Sequence, residues 1–269
     1  MSKRKTGVVE WAGHSANCLV GCSHNCRYCY AREMAVRFGR CSNDDWATPR
    51  LNGKALRKRW KKLPGVVMFP TTHDVLPDFL DECTRFLLNI LEAGNRVLIV
   101  SKPHLDCIWN LCQQLRGHED RIELRVTLGT LTPEVLSYWE PGAPMADERC
   151  ESLFQAHTRF GWRTSLSAEP LLTDSLDEVR ELVAGAECAG VETIWIGKLN
   201  QIRRRVRIET DRDREMVWRI EAAQTDEKVM ELVRALDGNP RIRWKDSIKD
   251  VIDRATNKAE AKGEDNATS

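Results

Sequence analysis

Three cysteines, Cys22, Cys26 and Cys29, stand in the string Gly21-Cys22-Ser23-His24-Asn25-Cys26-Arg27-Tyr28-Cys29-Tyr30-Ala31, with the spacing C-x-x-x-C-x-x-C. Thiolates this close in sequence can hold three irons of a [4Fe–4S] cube; with no fourth cysteine in the string, the last iron keeps a position open for chemistry. The spacing also admits a structural zinc knuckle with His24 or Cys18 as fourth ligand. Zinc sites usually add a second C-x-x-C unit or a distant Cys/His pair, and nothing downstream has that form.

A loop of this kind needs elements to place it. Short β-rich apolar runs recur at 66–69, 96–101, 122–128, 162–167 and 193–197, with 7–11 as a candidate first strand. Between them, residues 78–93 put Phe79, Cys83, Phe86, Leu87, Ile90 and Leu91 on one helical stripe that stops at Gly94. Thr132-Pro133-Glu134 reads as a helix start, and 104–116, 147–160 and 174–189 complete the series. Beyond Gly197, residues 226–236 and 246–260 read as helices. The alternation describes βα units around a parallel sheet. Ligands collect at the carboxyl ends of such strands, so the cysteine loop, 71–74, Ser101-Lys102, 127–130, 167–169 and 198–200 are expected to share one mouth.

The chain has 269 residues, 42% of them hydrophobic, enough for one sizeable core. It holds no apolar run long enough to span a bilayer, and its basic start is not followed by an apolar signal core, so a soluble, cytoplasmic protein without a membrane partner is expected. One cysteine cluster with seven scattered cysteines fits a reducing compartment, where Cys18, Cys41, Cys83, Cys107, Cys112, Cys150 and Cys188 stay free thiols. Cys107 and Cys112 fall on an amphipathic helix as small apolar residues rather than as a second cluster. Net charge is +1, so a nucleic acid would have to be met by a local patch. No acid stands between Asp45 and Asp74, and within that stretch Arg57, Lys58, Arg59, Trp60 and Lys61 are read as nucleic-acid contacts; Arg203-Arg204-Arg205-Val206-Arg207 is a second basic run.

With Tyr28 as the aromatic residue before the third cysteine, the loop resembles the hallmark of radical S-adenosylmethionine (SAM) enzymes. The longer string from Gly21 to Ala31 is similar to the spore photoproduct lyase-like group, as is Glu140-Pro141-x-Ala143-Pro144 with Arg149. Ser167-Ala168-Glu169-Pro170-Leu171-Leu172 and Val9-Glu10-Trp11 resemble a phage-associated branch of the superfamily. The resemblance, with the alternation above, implies an α/β fold: a partial (β/α)6 TIM-type barrel over residues 1–200, a mainly helical extension over 201–261 and a disordered tail over 262–269.

It further implies a [4Fe–4S] cluster on Cys22, Cys26 and Cys29, SAM bound at the open iron, and an electron from a reducing partner such as flavodoxin or ferredoxin. The Gly-Gly-Glu run that many members carry after the second strand is replaced by Thr71-Thr72-His73-Asp74. By position, Tyr28, Thr72, Asp74, Ser101, Lys102 and Thr127 are the implied SAM contacts, and Glu169 and His73 are candidate catalytic residues. The phage branch implies a DNA or modified nucleobase substrate, with isomerisation of an N-linked glycinyl thymine to its C-linked form. A thymine-lesion repair lyase and a radical-activating or nucleic-acid-binding cluster protein are the alternatives.

Overall fold

A computed structural model of the chain describes residues 7–267, with side chains described as far as residue 258. At its centre seven parallel strands lie side by side in chain order: β1 (His14–Ser15), β2 (Val66–Phe69), β3 (Arg96–Ser101), β4 (Ile122–Thr127), β5 (Arg163–Ala168), β6 (Thr193–Ile196) and β7 (Ile242–Trp244). The main helices are α1 (Tyr30–Arg37), α2 (Leu80–Glu92), α3 (Leu105–Gln114), α4 (Pro133–Trp139), α5 (Ala146–Thr158), α6 (Leu176–Cys188), α7 (Asp211–Ala223), α8 (Asp226–Ala235) and α9 (Asp246–Ala267). The expected α/β partial barrel and helical C-terminal region are both present. No helix among the described residues is long and apolar enough to cross a membrane.

Parallel neighbours need long crossovers, and here helices supply them. Val97, Ile99, Leu124, Val126, Leu166, Ile194 and Ile196 form one face of the sheet and share a core with Phe86, Leu87 and Ile90 of α2, Ile108 and Leu111 of α3, Leu153 of α5 and Val183 of α6. Each such side chain contributes about 1.5–3 kcal/mol when fully buried. Cys107 and Cys112 belong to this core, as their helical spacing predicted.

The opposite, inner face alternates with it. Met68 is level with Leu98, Val100 with Arg125, Arg125 with Ser165, and Ser167 with both Thr127 and Trp195. Arg125 donates to Ser165 (2.9 Å) and to Glu123 (2.8 Å), and its guanidinium lies 4.7 Å from the Trp11 ring centre and 5.1 Å from that of Trp195.

Residues 7–11, expected as the first strand, instead form a 3₁₀ turn (Gly7–Glu10) that lays Trp11 over this inner face. Gly7 at φ +64° starts the turn, and Val8 C=O accepts the N–H groups of both Trp11 and Ala12, so the backbone is satisfied locally without a strand partner. The sheet also gains a seventh strand beyond the six expected, because β7 in the C-terminal extension pairs with β6 through Ile194 and Ile242. Residues 262–267, expected as a disordered tail, continue α9, and 268 and 269 lie outside the described residues.

The loops after β4 and β5 touch closely: Leu172 N–H donates to Gly129 C=O at 2.8 Å, and a Cβ on Gly129 would fall 2.1 Å from the Pro170 carbonyl oxygen. Backbone, not a flexible side chain, blocks that space. Gly129→Ala should therefore lower the urea unfolding free energy by about 1–3 kcal/mol; an unchanged midpoint and slope would show that the two loops do not meet.

Candidate active site

The cysteine loop is turned and pinned by its backbone. Gly21 sits at φ +96°, where a Cβ would fall 2.8 Å from the Trp46 carbonyl oxygen, so glycine is required to enter the loop. Cys22 N–H donates to Trp46 C=O (2.9 Å), Arg27 N–H to Trp139 C=O (2.8 Å), and Gly142 N–H to His24 C=O (3.0 Å). Cys29 caps α1, whose N-terminal end favours negative charge.

Cys22 and Cys26 are buried and Cys29 half-buried. Burial pushes the Cys26 thiol up to about 12 against the pull of the Lys102 ammonium, with Glu140 and Cys29 adding to the rise. Burial likewise lifts Cys22 well above its ordinary range, reinforced by Asp74, Cys26 and Cys29. Thiols that suppress one another's ionisation call for a cationic group among them, and this donor set fits an iron–sulfur cluster held by three thiolates. Among the described residues no group of three or more His, Cys, Asp or Glu side chains is gathered around a single-ion site. The two candidates for a fourth zinc ligand have other partners. His24 Nδ1 is 3.2 Å from Asp74 and its Nε2 3.3 Å from His104, while Cys18 Sγ lies 3.6 Å from Cys83 Sγ.

Beside the loop, at the carboxyl ends of the strands, is a cavity of about 210 Å³. Tyr28, His73, Asp74, Ser101, Lys102, Thr127 and Glu169 all line it, so the expected mouth brings these seven together. Burial opposes charge on Lys102, yet Cys26, Glu140 and Asp74 around it hold the ammonium above its usual range. Behind the wall is a fully buried network. Tyr28 donates its hydroxyl to Glu140, whose second oxygen is 2.5 Å from Arg149; Arg149 also donates to Pro144 C=O (2.7 Å) and to Thr127 C=O (3.0 Å). A larger cleft of about 670 Å³, between Leu131–Val135 and α7, carries none of the sequence-predicted site residues.

Several expected roles change with the geometry. Asp74 cannot serve as a free acceptor for the SAM ammonium. One oxygen accepts from Val75 N–H (2.9 Å) and the Ser101 hydroxyl, and the other accepts from Lys102 N–H (2.9 Å) with His24 Nδ1 3.2 Å away. Burial alone would raise this carboxyl, but His24, Lys102 and Ser101 hold it well below the usual carboxylate range. His73 is committed to the backbone: Nε2 accepts from Cys18 N–H (3.1 Å), which leaves Nδ1–H to donate to Asp74 C=O (2.8 Å). Its neutral ring thus holds the loop together and has no nitrogen left for proton transfer. Thr72 points away from the cavity into a separate pocket beside Asn17, which fixes the 71–72 backbone with its side-chain oxygen, and Thr71 takes the cavity position. The run Arg57–Lys61 is exposed except for Trp60, which packs on Phe86, and it is not among the residues that line the cavity.

Other residues enter the site from segments given different roles. Lys245, 1% exposed and just past β7, reaches Glu10 at 2.7 Å and Glu169 at 3.4 Å, with its ammonium 4.1 Å from the Trp11 ring centre. Burial pushes Glu169 up to about 7 against the pull of Lys245. Trp11 and Tyr30 also line the cavity. A signal for Lys245 existed in the β-like Ile242-Arg243-Trp244 just before it, and Glu10-Trp11 stood in one of the resembling strings.

No known family's sequence profile matches the chain. An uncharacterised protein, ORF301, of Acidianus two-tailed virus is 31% identical over 181 residues, 63% of this chain and 58% of that protein. Among solved structures, Streptococcus suis SuiB bound to S-adenosylmethionine aligns with a TM-score of 0.50 at 12% identity, over 84% of this chain and 48% of SuiB. SuiB bound to its precursor peptide SuiA gives a TM-score of 0.51 at 12% identity, over 86% and 47%. The chain thus spans about half to three fifths of the proteins it matches, and the structural likeness establishes a shared fold.

Two measurements check the site. Removing one partner of a buried ion pair leaves a stranded charge, so Arg149→Met should destabilise by about 3–5 kcal/mol in urea, with Glu140→Gln added to it restoring part of the loss; additive losses would mean the pair is not coupled. Glu169 titrates near 7 when folded against an ordinary 4.5. Within that window the folded state binds more protons than the unfolded one, so this group makes stability fall as pH rises. Glu169→Gln should flatten that fall between about pH 5 and about pH 8, whereas parallel profiles would contradict a buried carboxyl.

Proposed function

We propose that the chain is a radical SAM enzyme in which Cys22, Cys26 and Cys29 hold a [4Fe–4S] cluster and the adjoining cavity receives SAM and substrate. The observation that carries this reading is the convergence of the Cys22, Cys26 and Cys29 loop, two of whose thiols are pushed toward the neutral form by burial and by neighbouring cysteines, with a cavity lined by Asp74, Ser101, Lys102, Thr127 and Glu169 at the carboxyl ends of a parallel sheet. When bound, such a cluster supplies the electron that splits the SAM sulfonium into methionine and a 5′-deoxyadenosyl radical. The chain's own residues bind and shield. Lys102 offers a cation for the SAM carboxylate, and Ser101 and Thr127 offer hydroxyl oxygens for a ribose; at the position of the missing Gly-Gly-Glu run, Tyr30 donates its hydroxyl to Thr71 C=O and Asn17 donates to the Thr71 hydroxyl (2.7 Å), which fixes that wall of the cavity. Tyr28, held by Glu140 and 6.3 Å from the Trp139 ring, gives an aromatic wall for adenine. Met68, Val100 and Trp11 exclude water from the inner side.

For the substrate we propose a thymine in DNA that carries an N-linked amino-acid adduct such as glycine. A hydrogen leaves the adduct's α-carbon, the bond between the thymine methylene and the amine nitrogen breaks as that methylene bonds to the α-carbon, and the hydrogen is returned to the nitrogen, so the product is an isomer. Glu169 and Lys245, 3.4 Å apart at the cavity, complement the amine and carboxylate of such an adduct. The likeness to a viral protein supports a phage-type context.

The tests separate the chemistry from the substrate. Anaerobic reconstitution with iron and sulfide should give a brown chromophore that Cys22→Ala, Cys26→Ala or Cys29→Ala removes, and SAM with dithionite should then yield 5′-deoxyadenosine. No chromophore, or no nucleoside, overturns the radical reading. DNA bearing α-glycinyl thymine should give a product of unchanged mass and altered retention; reversal of thymine dimers instead would assign a repair lyase.

A further inference from the structure

We infer that the cleft between α1 and the Ile202–Arg207 segment holds the phosphate backbone of a polynucleotide while one of its bases enters the cavity; this inference rests on the nucleobase reading above. Arg32, Arg37, Arg204, Arg205 and Arg207 line this cleft of about 400 Å³, in which Glu33 is the one acid among the lining residues. Glu33 is already held by Arg204 at 2.7 Å. Arg32 donates to Asn25 Oδ1 (3.0 Å) and Arg27 C=O (2.8 Å), while the guanidinium groups of Arg37, Arg205 and Arg207 are planar donor forks suited to phosphate oxygens.

Three further observations favour a nucleic acid. Arg205 lines the cleft, and its Nε is buried without a hydrogen-bond partner among the described residues, so the protein itself does not use up this guanidinium's donors. The same guanidinium lies 5.9 Å from the ring centre of Tyr30, which lines the cavity, so cleft and cavity share an edge. Phe38, 59% exposed, stands with Arg37 and Arg40 each 5.6 Å from its ring centre, an aromatic face between cations of the kind on which unpaired bases stack. An acidic protein would answer the charge but makes no use of that face or of the shared edge. The basic run Arg57–Lys61 lines neither the cavity nor this cleft.

The test uses the full chain and fluorescently labelled DNA of mixed sequence, single-stranded and duplex, read by anisotropy across a salt series. Arg37 and Arg207 are exposed and make no ion pair among the described residues, so replacing them should leave the unfolding midpoint unchanged. Arg37→Gln with Arg207→Gln should weaken binding by roughly tenfold or more and lower the slope of log affinity against log salt by about two. Lys58→Gln with Lys61→Gln should bind as the unaltered chain does. Loss in the lysine pair but not in the arginine pair overturns the assignment. So does an unaltered chain that binds no DNA while the arginine pair slows reduction by an acidic flavodoxin. Binding is read without turnover, so either result leaves the 5′-deoxyadenosine test of the radical reading independent.

Discussion

Crowding three thiols into one buried loop is unfavourable, and much of the surrounding structure is arranged to enforce it. Cys22 and Cys26 are each driven toward the neutral thiol by burial and by their neighbours. The loop is held by contacts from outside it: the Trp46 carbonyl at its entry, Trp139 and Gly142 along its far side, and the N-terminus of α1 at its exit. Lys102 is the cation that draws Cys26 toward its thiolate, and a group that supplied further positive charge to the thiolates would meet a loop already fixed in place.

Two buried carboxylates then tie the loop to the sheet, and they do it differently. Asp74 follows β2 and gathers backbone N–H groups from its own loop and from the end of β3, with His24 of the cysteine loop as its outer partner. Glu140 follows α4 and works through side chains, joining Tyr28 to Arg149, which reaches the last carbonyl of β4. Both carboxylates have their oxygens engaged, which is why each serves as a clamp. The carboxylate that differs is Glu169. It faces the cavity with one ammonium beside it and sits near neutral pH, the condition in which a carboxyl can act as acceptor or donor toward a ligand.

What was legible in the sequence follows from how local each signal is. The cysteine string and the apolar runs of β2 to β6 carry their meaning within a few residues, and the helices 80–92, 105–114 and 176–188 match the stripes read from spacing. Val8 and Val9 favour a strand at 7–10, whereas the role of the turn there depends on Trp11 meeting Trp195 and Arg125, which no local pattern shows. Thr71 and Thr72 could be told apart only once Asn17 was known to fix their backbone. The basic run near Arg57 is a different case. Charge density marks it in the sequence, but charge alone does not say which cavity a run lines, and these residues line neither the cavity nor the α1 cleft.

Lys245 shows how distant segments complete one site. It arrives on a short strand from the C-terminal region, Glu10 on the N-terminal turn, and Glu169 at the end of β5, yet their charges meet against one indole face. Lys249 adds a second cation to Glu10 at 3.2 Å. The close approach explains Gly197 after β6: a Cβ there would lie 2.9 Å from the Lys245 stem and 3.0 Å from that of Glu169. A side chain at that point would push both charged stems off their positions. The N-terminal turn and the C-terminal strand are thus joined through a single ammonium at the inner wall of the cavity, so whatever enters there is met by groups that neither half of the chain could assemble alone.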